Sequence, residues 1–169
     1  MVNIGWSFGG AAAFETARQL LKEGREVRGV LLIDSPCPVN HVPLSESLIE
    51  KVVASTSQAS KSEVSQLVKK QFQQNSHLLG LYDPVPGGGP HPKLAILRSS
   101  EGLKLQGADV PIWLGDRSNP RHVIAEWETL VSATIKSWNI PGNHFEVFAP
   151  ANVSYSPFTL LIPISDSSR

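Results

Sequence analysis

The chain has 169 residues, enough for one domain with a substantial core, and carries 15 lysines and arginines against 15 aspartates and glutamates. That balance leaves no basic surplus for nucleic acid, no apolar stretch reaches the length of a membrane span, and Met1-Val2-Asn3-Ile4 lacks the basic and long apolar regions of a secretory signal. A soluble, cytoplasmic protein with neither nucleic-acid nor membrane partners is expected, and the lone cysteine, Cys37, excludes an internal disulfide or a clustered thiolate metal site.

In chain order, Val2 to Gly5 reads as the end of a strand. Gly10 to Glu23 carries Ala12, Phe14, Ala17, Leu20 and Leu21 at helical spacing, and Gly24 follows as a C-cap. Val27 to Ile33 reads as a buried strand, because the four consecutive apolar side chains Val30 to Ile33 suit a parallel strand covered on both faces. Cys37, held between Pro36 and Pro38 with no basic neighbour to lower its pKa, reads as a small buried or half-buried thiol. Residues 43–92 break the rhythm: two amphipathic helical candidates, Leu44 to Ala54 and Ser62 to Gln73, precede the turn-rich Asp83 to Pro90. Such an insertion standing on a sheet commonly serves as a lid, and the residues leave an ordinary helical excursion equally open. Three further strand candidates are Lys93 to Leu97, Val110 to Leu114 and Ile135 to Ile140, with a helix over His122 to Val131 between the last two. The expected fold class is α/β, with a mostly parallel sheet in residues 1–150 and a loose tail over residues 151–169, where Pro157 and Pro163 forbid a long helix.

The chemistry-bearing signal is Gly5-Trp6-Ser7-Phe8-Gly9-Gly10, a Gly-x-Ser-x-Gly between a strand and a helix. This is the pattern of the α/β-hydrolase nucleophile elbow, whose flanking glycines are expected where a Cβ would strike the neighbouring strand and helix. Ser7 is then the candidate nucleophile, and the Phe8 amide at the helix start would support an oxyanion. A serine needs a base, and the base an orienting acid, arriving later in the chain in the order serine, acid, histidine. Of the five histidines, only His144, in Pro141-Gly142-Asn143-His144-Phe145, follows the last strand in a glycine-containing loop; His41, His77, His91 and His122 are expected to be solvated or packed. Asp34 and Asp116 each end a strand candidate, and spacing leaves both open as the acid.

The segments GWSFGGAAAFETARQL, VLLIDSPCP, LAILRSSEG, VPIWLGDR and IPGNHF resemble, in order, the thioesterase domain of fungal iterative non-reducing polyketide synthases. The resemblance implies Asp34, in LIDSP, as the acid, with Asp116 as the alternative. It also implies transfer of a polyketide chain from an acyl carrier protein to Ser7, then release by hydrolysis or cyclisation. No metal or organic cofactor is implied, because the phosphopantetheine arm belongs to the substrate. Trp6 and Phe8 would line the acyl channel beside Ser7, with Leu44, Leu48, Leu78, Leu79, Leu81 and Tyr82 in its lid. The resemblance further implies strands before the elbow that would supply one side of the sheet and a second oxyanion amide. The chain begins at the elbow strand, so a partial α/β-hydrolase fold is expected, with weak activity or the status of a remnant. A generic carboxylesterase and a non-catalytic acyl- or carrier-binding protein are the alternatives.

Overall fold

The structure is a computed structural model and describes residues 1–56 and 63–153. Strand β1 (Val2–Trp6) leads through Ser7 into helix α1 (Phe8–Lys22), and β2 (Gly29–Ile33) follows. Helices α2 (Glu46–Thr56) and α3 (Glu63–Leu81) separate β2 from β3 (Leu94–Ser99). Then come α4 (Ile112–Gly115), α5 (Arg121–Val131), β4 (Lys136–Ile140) and the single turn α6 (Pro150–Val153). The four described strands form one sheet in the order β1-β2-β3-β4, every neighbouring pair parallel. Trp6 pairs with Ile33, Ile33 with Leu97, and Ser99 with Ile140, so the carboxyl ends of all four strands reach one edge. That common edge positions the site.

Strand alternation divides the apolar residues between two faces. Val30, Leu32 and Ile96 face α1 and α5, where Phe14, Ala17, Ile124, Trp127 and Leu130 complete the main core. The crossover helices α1, between β1 and β2, and α5, between β3 and β4, share that face because the strand order advances in one direction and parallel crossovers keep one hand. Ile33, Leu97 and Ile140 form a smaller cluster with Val147, packed against Trp6 and Leu31. A third cluster beneath α2 joins Leu48 and Val52 to Leu103 and Leu114. Helix α1 ends as its sequence suggests: Gly24, at φ 74°, allows the Gly24 amide to reach Leu21 O at 3.0 Å and the Arg25 amide to reach Leu20 O at 2.9 Å. β1 pairs only with β2 among the described strands, and Val2 and Ile4 are exposed along it.

One expected strand is a helix instead. In Val110 to Leu114, Pro111 has no N–H for a ladder, while its carbonyl accepts from the amides of Leu114 and Gly115, both at 2.9 Å, and starts α4. Only Leu114 of that segment is buried, whereas Ile112 is exposed, as one turn of helix against a core requires. The second helical candidate runs further than expected, to Leu81, because Phe72, Ser76 and Leu79 continue the inward stripe. Its predicted start at Ser62 lies outside the described residues. The predicted tail begins with α6, and residues 154–169 also lie outside them. Among the described residues no helix is long and apolar enough to cross a membrane, and no group of three or more His, Cys, Asp or Glu could hold a metal.

Trp127 joins this core to the edge that carries the site. It is fully buried, sits edge-on to Phe14 at 5.2 Å, and donates its indole N–H to Ser35 O at 3.1 Å. Trp127→Ala is expected to cost about 3–5 kcal/mol in urea-induced unfolding, as truncation of a large buried aromatic does. A loss below about 1 kcal/mol would place the core's centre elsewhere.

Candidate active site

Ser7 occupies the turn between β1 and α1 at φ 54° and ψ −129°. A side chain in that region costs about 1–3 kcal/mol unless its surroundings impose it. Here they do. The Ser7 amide donates to Ile33 O at 3.0 Å, and Ser7 O accepts from the Gly10 amide at 3.0 Å and from Ser35 Oγ at 2.5 Å. Although Ser7 stands at the N-cap of α1, its hydroxyl makes no capping bond. Close approach at the elbow falls on Gly5 and Gly10. A Cβ on Gly5 would lie 2.0 Å from Gly9 O, and one on Gly10 would lie 2.2 Å from Ser35 Oγ. Gly9 has open space within 4 Å, which corrects the expectation that both motif glycines flanking Ser7 avoid a collision. The constrained pair is the first and the sixth residue of Gly5 to Gly10, because α1 turns Gly10 towards β2.

Asp34 continues β2 beyond its last residue, at φ 46°. Its carboxylate is buried and fully engaged. Oδ1 accepts from the Ser99 amide at 2.9 Å, while Oδ2 accepts from Ser99 Oγ at 2.9 Å, Arg117 Nη2 at 2.9 Å and His144 Nδ1 at 2.8 Å. Nε2 of the same imidazole lies 2.9 Å from Ser7 Oγ. A carboxylate only accepts, so the Nδ1 proton belongs to this bond and the Nε2 lone pair faces the serine hydroxyl. Burial alone would raise the Asp34 pKa. The His144 hydrogen bond, the charges of His144 and Arg117 and the Ser99 amide outweigh it, and the carboxyl stays below its ordinary range.

His144 is buried behind aromatic rings. Trp6 stacks on it at 5.2 Å and donates its indole N–H to His144 O at 3.2 Å, while Phe145 and Trp113 meet it edge-on at 4.8 and 5.4 Å. Asp116 is outside this chain of bonds: its carboxylate accepts from the amide and hydroxyl of Ser118 at 2.8 and 2.6 Å and lies 3.4 Å from His122. Of the two candidate acids, the structure brings Asp34 to the histidine.

A cavity of about 280 Å³ opens over Ser7. Trp6, Phe8 and His144 line its floor, and Val68, Phe72 and Leu79 of α3 face them. Phe8 is the first residue of α1, where an amide has no carbonyl in a preceding turn to bond. Leu44 and Leu79 line the cavity as expected, but Leu48 is buried in the cluster under α2, and Leu78 and Leu81 are exposed. Tyr82 is a further correction. Its hydroxyl donates to Glu15 and accepts from Arg18 at 3.4 Å, because α1 presents that pair where α3 ends. Burial and the Glu15 bond push the Tyr82 pKa up to about 12. His41 lines the cavity, with burial lowering its pKa; His91 stacks on Phe14 at 6.1 Å. Cys37 is buried, and its thiol is pushed up to about 12.

Sequence reasoning missed Ser99, Arg117, Ser35 and Trp113. Ser99 had a partial signal, since it closes an apolar run that reaches the same sheet edge as Asp34; Arg117 shared only an apolar run before it, which folds as α4. Ser35 and Trp113 had none.

The thioesterase-domain family model matches residues 3–154. The chain is 41% identical over 149 residues to the orsellinic acid synthase ArmB of Armillaria mellea, covering 86% of this chain and 7% of the relative. It is 36% identical over 187 residues to the orsellinic acid synthase of Beauveria bassiana, covering 89% of this chain and 8% of the relative. The chain therefore spans less than a tenth of these two relatives. Thioesterase AMT4 of Alternaria alternata is 26% identical, with 88% and 54% covered. Among solved structures, the NocB thioesterase domain in covalent complex with a fluorophosphonate nocardicin G analogue gives a TM-score of 0.65 at 23% identity, covering 93% of this chain and 62% of that one. Human thioesterase 2 gives 0.60 at 19%, covering 94% and 70%. These likenesses place the fold in the α/β-hydrolase type.

Gly10→Ala is expected to cost about 2 kcal/mol or more in denaturant unfolding, as overpacking against a fixed neighbour does. Gly9→Ala, in open space within a helix, should be neutral or stabilise by up to about 1 kcal/mol; equal losses would refute the assignment of close contacts. Asp34 titrates below its ordinary value when folded, so its contribution to stability is present above the ordinary carboxylate range and fades as pH falls through the lowered value. Unfolding measured from about pH 7 to about pH 2 should show a steeper acid loss for the wild type than for Asp34→Asn.

Proposed function

Because the chain belongs to the thioesterase family, we propose that it releases an acyl chain from the phosphopantetheine arm of an acyl carrier protein through an acyl-serine intermediate. The observation that carries this reading is the run of bonds from Ser7 Oγ through both imidazole nitrogens to Asp34, at the floor of an apolar cavity. His144 takes the hydroxyl proton as Ser7 Oγ forms a bond to the thioester carbonyl carbon. Asp34 holds the imidazole's orientation and stabilises its charged form. The carbonyl oxygen becomes an oxyanion facing the Phe8 amide at the helix start. Collapse breaks the carbon–sulfur bond as His144 gives its proton to the departing sulfur, so the free thiol leaves and the imidazole is neutral again. In release by hydrolysis, water bonds to the acyl carbon and gives a proton to His144; the bond from that carbon to Ser7 Oγ then breaks, the proton passes from His144 to Oγ, and the free acid leaves. An internal hydroxyl or carbanion in place of water would give cyclisation. Each step uses only these side chains and the substrate, so no separate cofactor enters.

The acyl group we infer is compact and aromatic. Two of the relatives carry the name orsellinic acid synthase. The cavity of about 280 Å³, with Trp6, Phe72, Trp113 and Phe145 around it, suits a single substituted ring better than a long chain. In this reading α2 and α3 act as the lid, and the Val68, Phe72 and Leu79 face of α3 covers the acyl group.

Turnover of an aromatic acyl-pantetheine thioester is compared with that of a nitrophenyl ester of the same acid. The thioester is expected to be preferred, and preference for the oxygen ester would move the chain to the carboxylesterases. Ser7→Ala should abolish turnover, and Asp34→Asn should lower kcat by about 10⁴-fold, as loss of the orienting acid does. Asp116→Asn should stay within about threefold of the wild type, because the carboxylate is outside the bonded chain and a threefold change is well under 1 kcal/mol.

A further inference from the structure

We propose that Arg117 is a positioning residue of this site: its guanidinium fixes the carboxylate that orients His144 and restrains the imidazole's affinity for a proton. The inference rests on the acyl-serine reading above.

One oxygen, Asp34 Oδ2, receives Arg117 Nη2 at 2.9 Å and His144 Nδ1 at 2.8 Å. Ser99 approaches the same carboxylate from β3, so neither oxygen is free to rotate away. Arg117 is buried, yet among the described residues its Nε and Nη1 have no partner. A guanidinium kept from water with one engaged nitrogen is costly as a structural strut, and the bond it makes is to the acid of the site. Its backbone is held from behind: Arg98 Nη1 donates to Arg117 O at 2.9 Å while Arg98 Nη2 reaches Asn139 at 3.0 Å. The guanidinium is therefore delivered by β3 and β4 together.

An isolated carboxylate against an imidazole would favour imidazolium, leaving the base occupied by a proton. A fixed cation on the same oxygen opposes that, because it neutralises the carboxylate and repels a second positive charge. The other charged or titratable groups nearby do not duplicate it. Arg98 lies behind Arg117, Asp116 is bonded to Ser118 beside His122, Glu146 accepts from Asn143, and His41 stands across the cavity.

The test compares the pH dependence of kcat/KM, with an acyl-pantetheine thioester, in the wild type, Arg117→Gln, Arg117→Met and Arg117→Lys. Both neutral variants are expected to move the acid limb upward by about one pH unit or more, in the range a removed neighbouring charge produces. Their loss should approach about tenfold for each pH unit the limb moves, on the acid side of both limbs, and become smaller at high pH. Arg117→Lys, which keeps the charge but loses the planar fork, should hold the limb at the wild-type position with a lower kcat. Limbs that coincide in all four proteins overturn the proposal, as does an equal shift in Arg117→Lys. If neither neutral variant folds, Arg117→Lys decides by its plateau kcat: a value equal to the wild type's overturns the positioning role, since the planar fork would then hold nothing that the lone ammonium does not. Ser7→Ala is measured in parallel: turnover without Ser7 refutes the acyl-serine reading itself, whereas serine-dependent turnover with an unmoved limb refutes only the role of Arg117.

Discussion

The site depends on a buried carboxylate made tolerable by its partners. Asp34 is removed from water at the end of β2, where an unpaired charge would be strongly unfavourable. Ser99, Arg117 and His144 come from three other parts of the chain to meet it. The same bonds that compensate its burial fix the imidazole, and the imidazole fixes what faces Ser7. Stability and chemistry are therefore coupled at one atom, Oδ2.

The parallel sheet makes this convergence possible. Because all four described strands run one way, residues distant in sequence arrive at a common edge. Ser7 follows β1, Asp34 follows β2, Ser99 closes β3, and the loop after β4 carries His144. Ser35, adjacent to Asp34, braces the strained Ser7 carbonyl with its hydroxyl and accepts the Trp127 indole with its own carbonyl. The main core thus reaches the strained turn through one residue. Strain of this kind persists where surroundings over-determine it, and three bonds to the Ser7 backbone do so here.

Above that edge the environment changes from polar to apolar within one side-chain layer. Trp6, Trp113 and Phe145 surround the imidazole on the cavity side, while charged and hydroxyl groups hold it from below. Such a boundary strengthens the electrostatic interactions beneath it by excluding water. It also divides labour along α3, whose inward stripe faces the cavity while Glu15 and Arg18 of α1 draw Tyr82 away from it.

Local sequence was enough for whatever depends on short-range pattern. The elbow, the helix beginning beside Ser7, the Gly24 cap, three of the strands after it and the glycine-containing loop with His144 were legible because periodicity, turn residues and strand ends carry them within a few residues. The failures differed in origin, one local and one distant. Val110 to Leu114 has the composition of a strand, but Pro111 lacks a ladder donor and its carbonyl starts a turn of helix. Tyr82 looked like part of an apolar lid until a charged pair on α1 captured its hydroxyl. Residues alone left Asp34 and Asp116 equal, since both follow apolar runs; register and burial, which are properties of the assembled sheet, separated them. Tertiary structure likewise brought in Arg117 and Ser99, since a hydrogen bond spanning 83 or 65 residues leaves no periodic trace in the chain. The sequence by itself determined which groups could react, because turn and strand-end chemistry is written locally. Only the folded sheet decided which carboxylate holds the imidazole, because that depends on distances across strands.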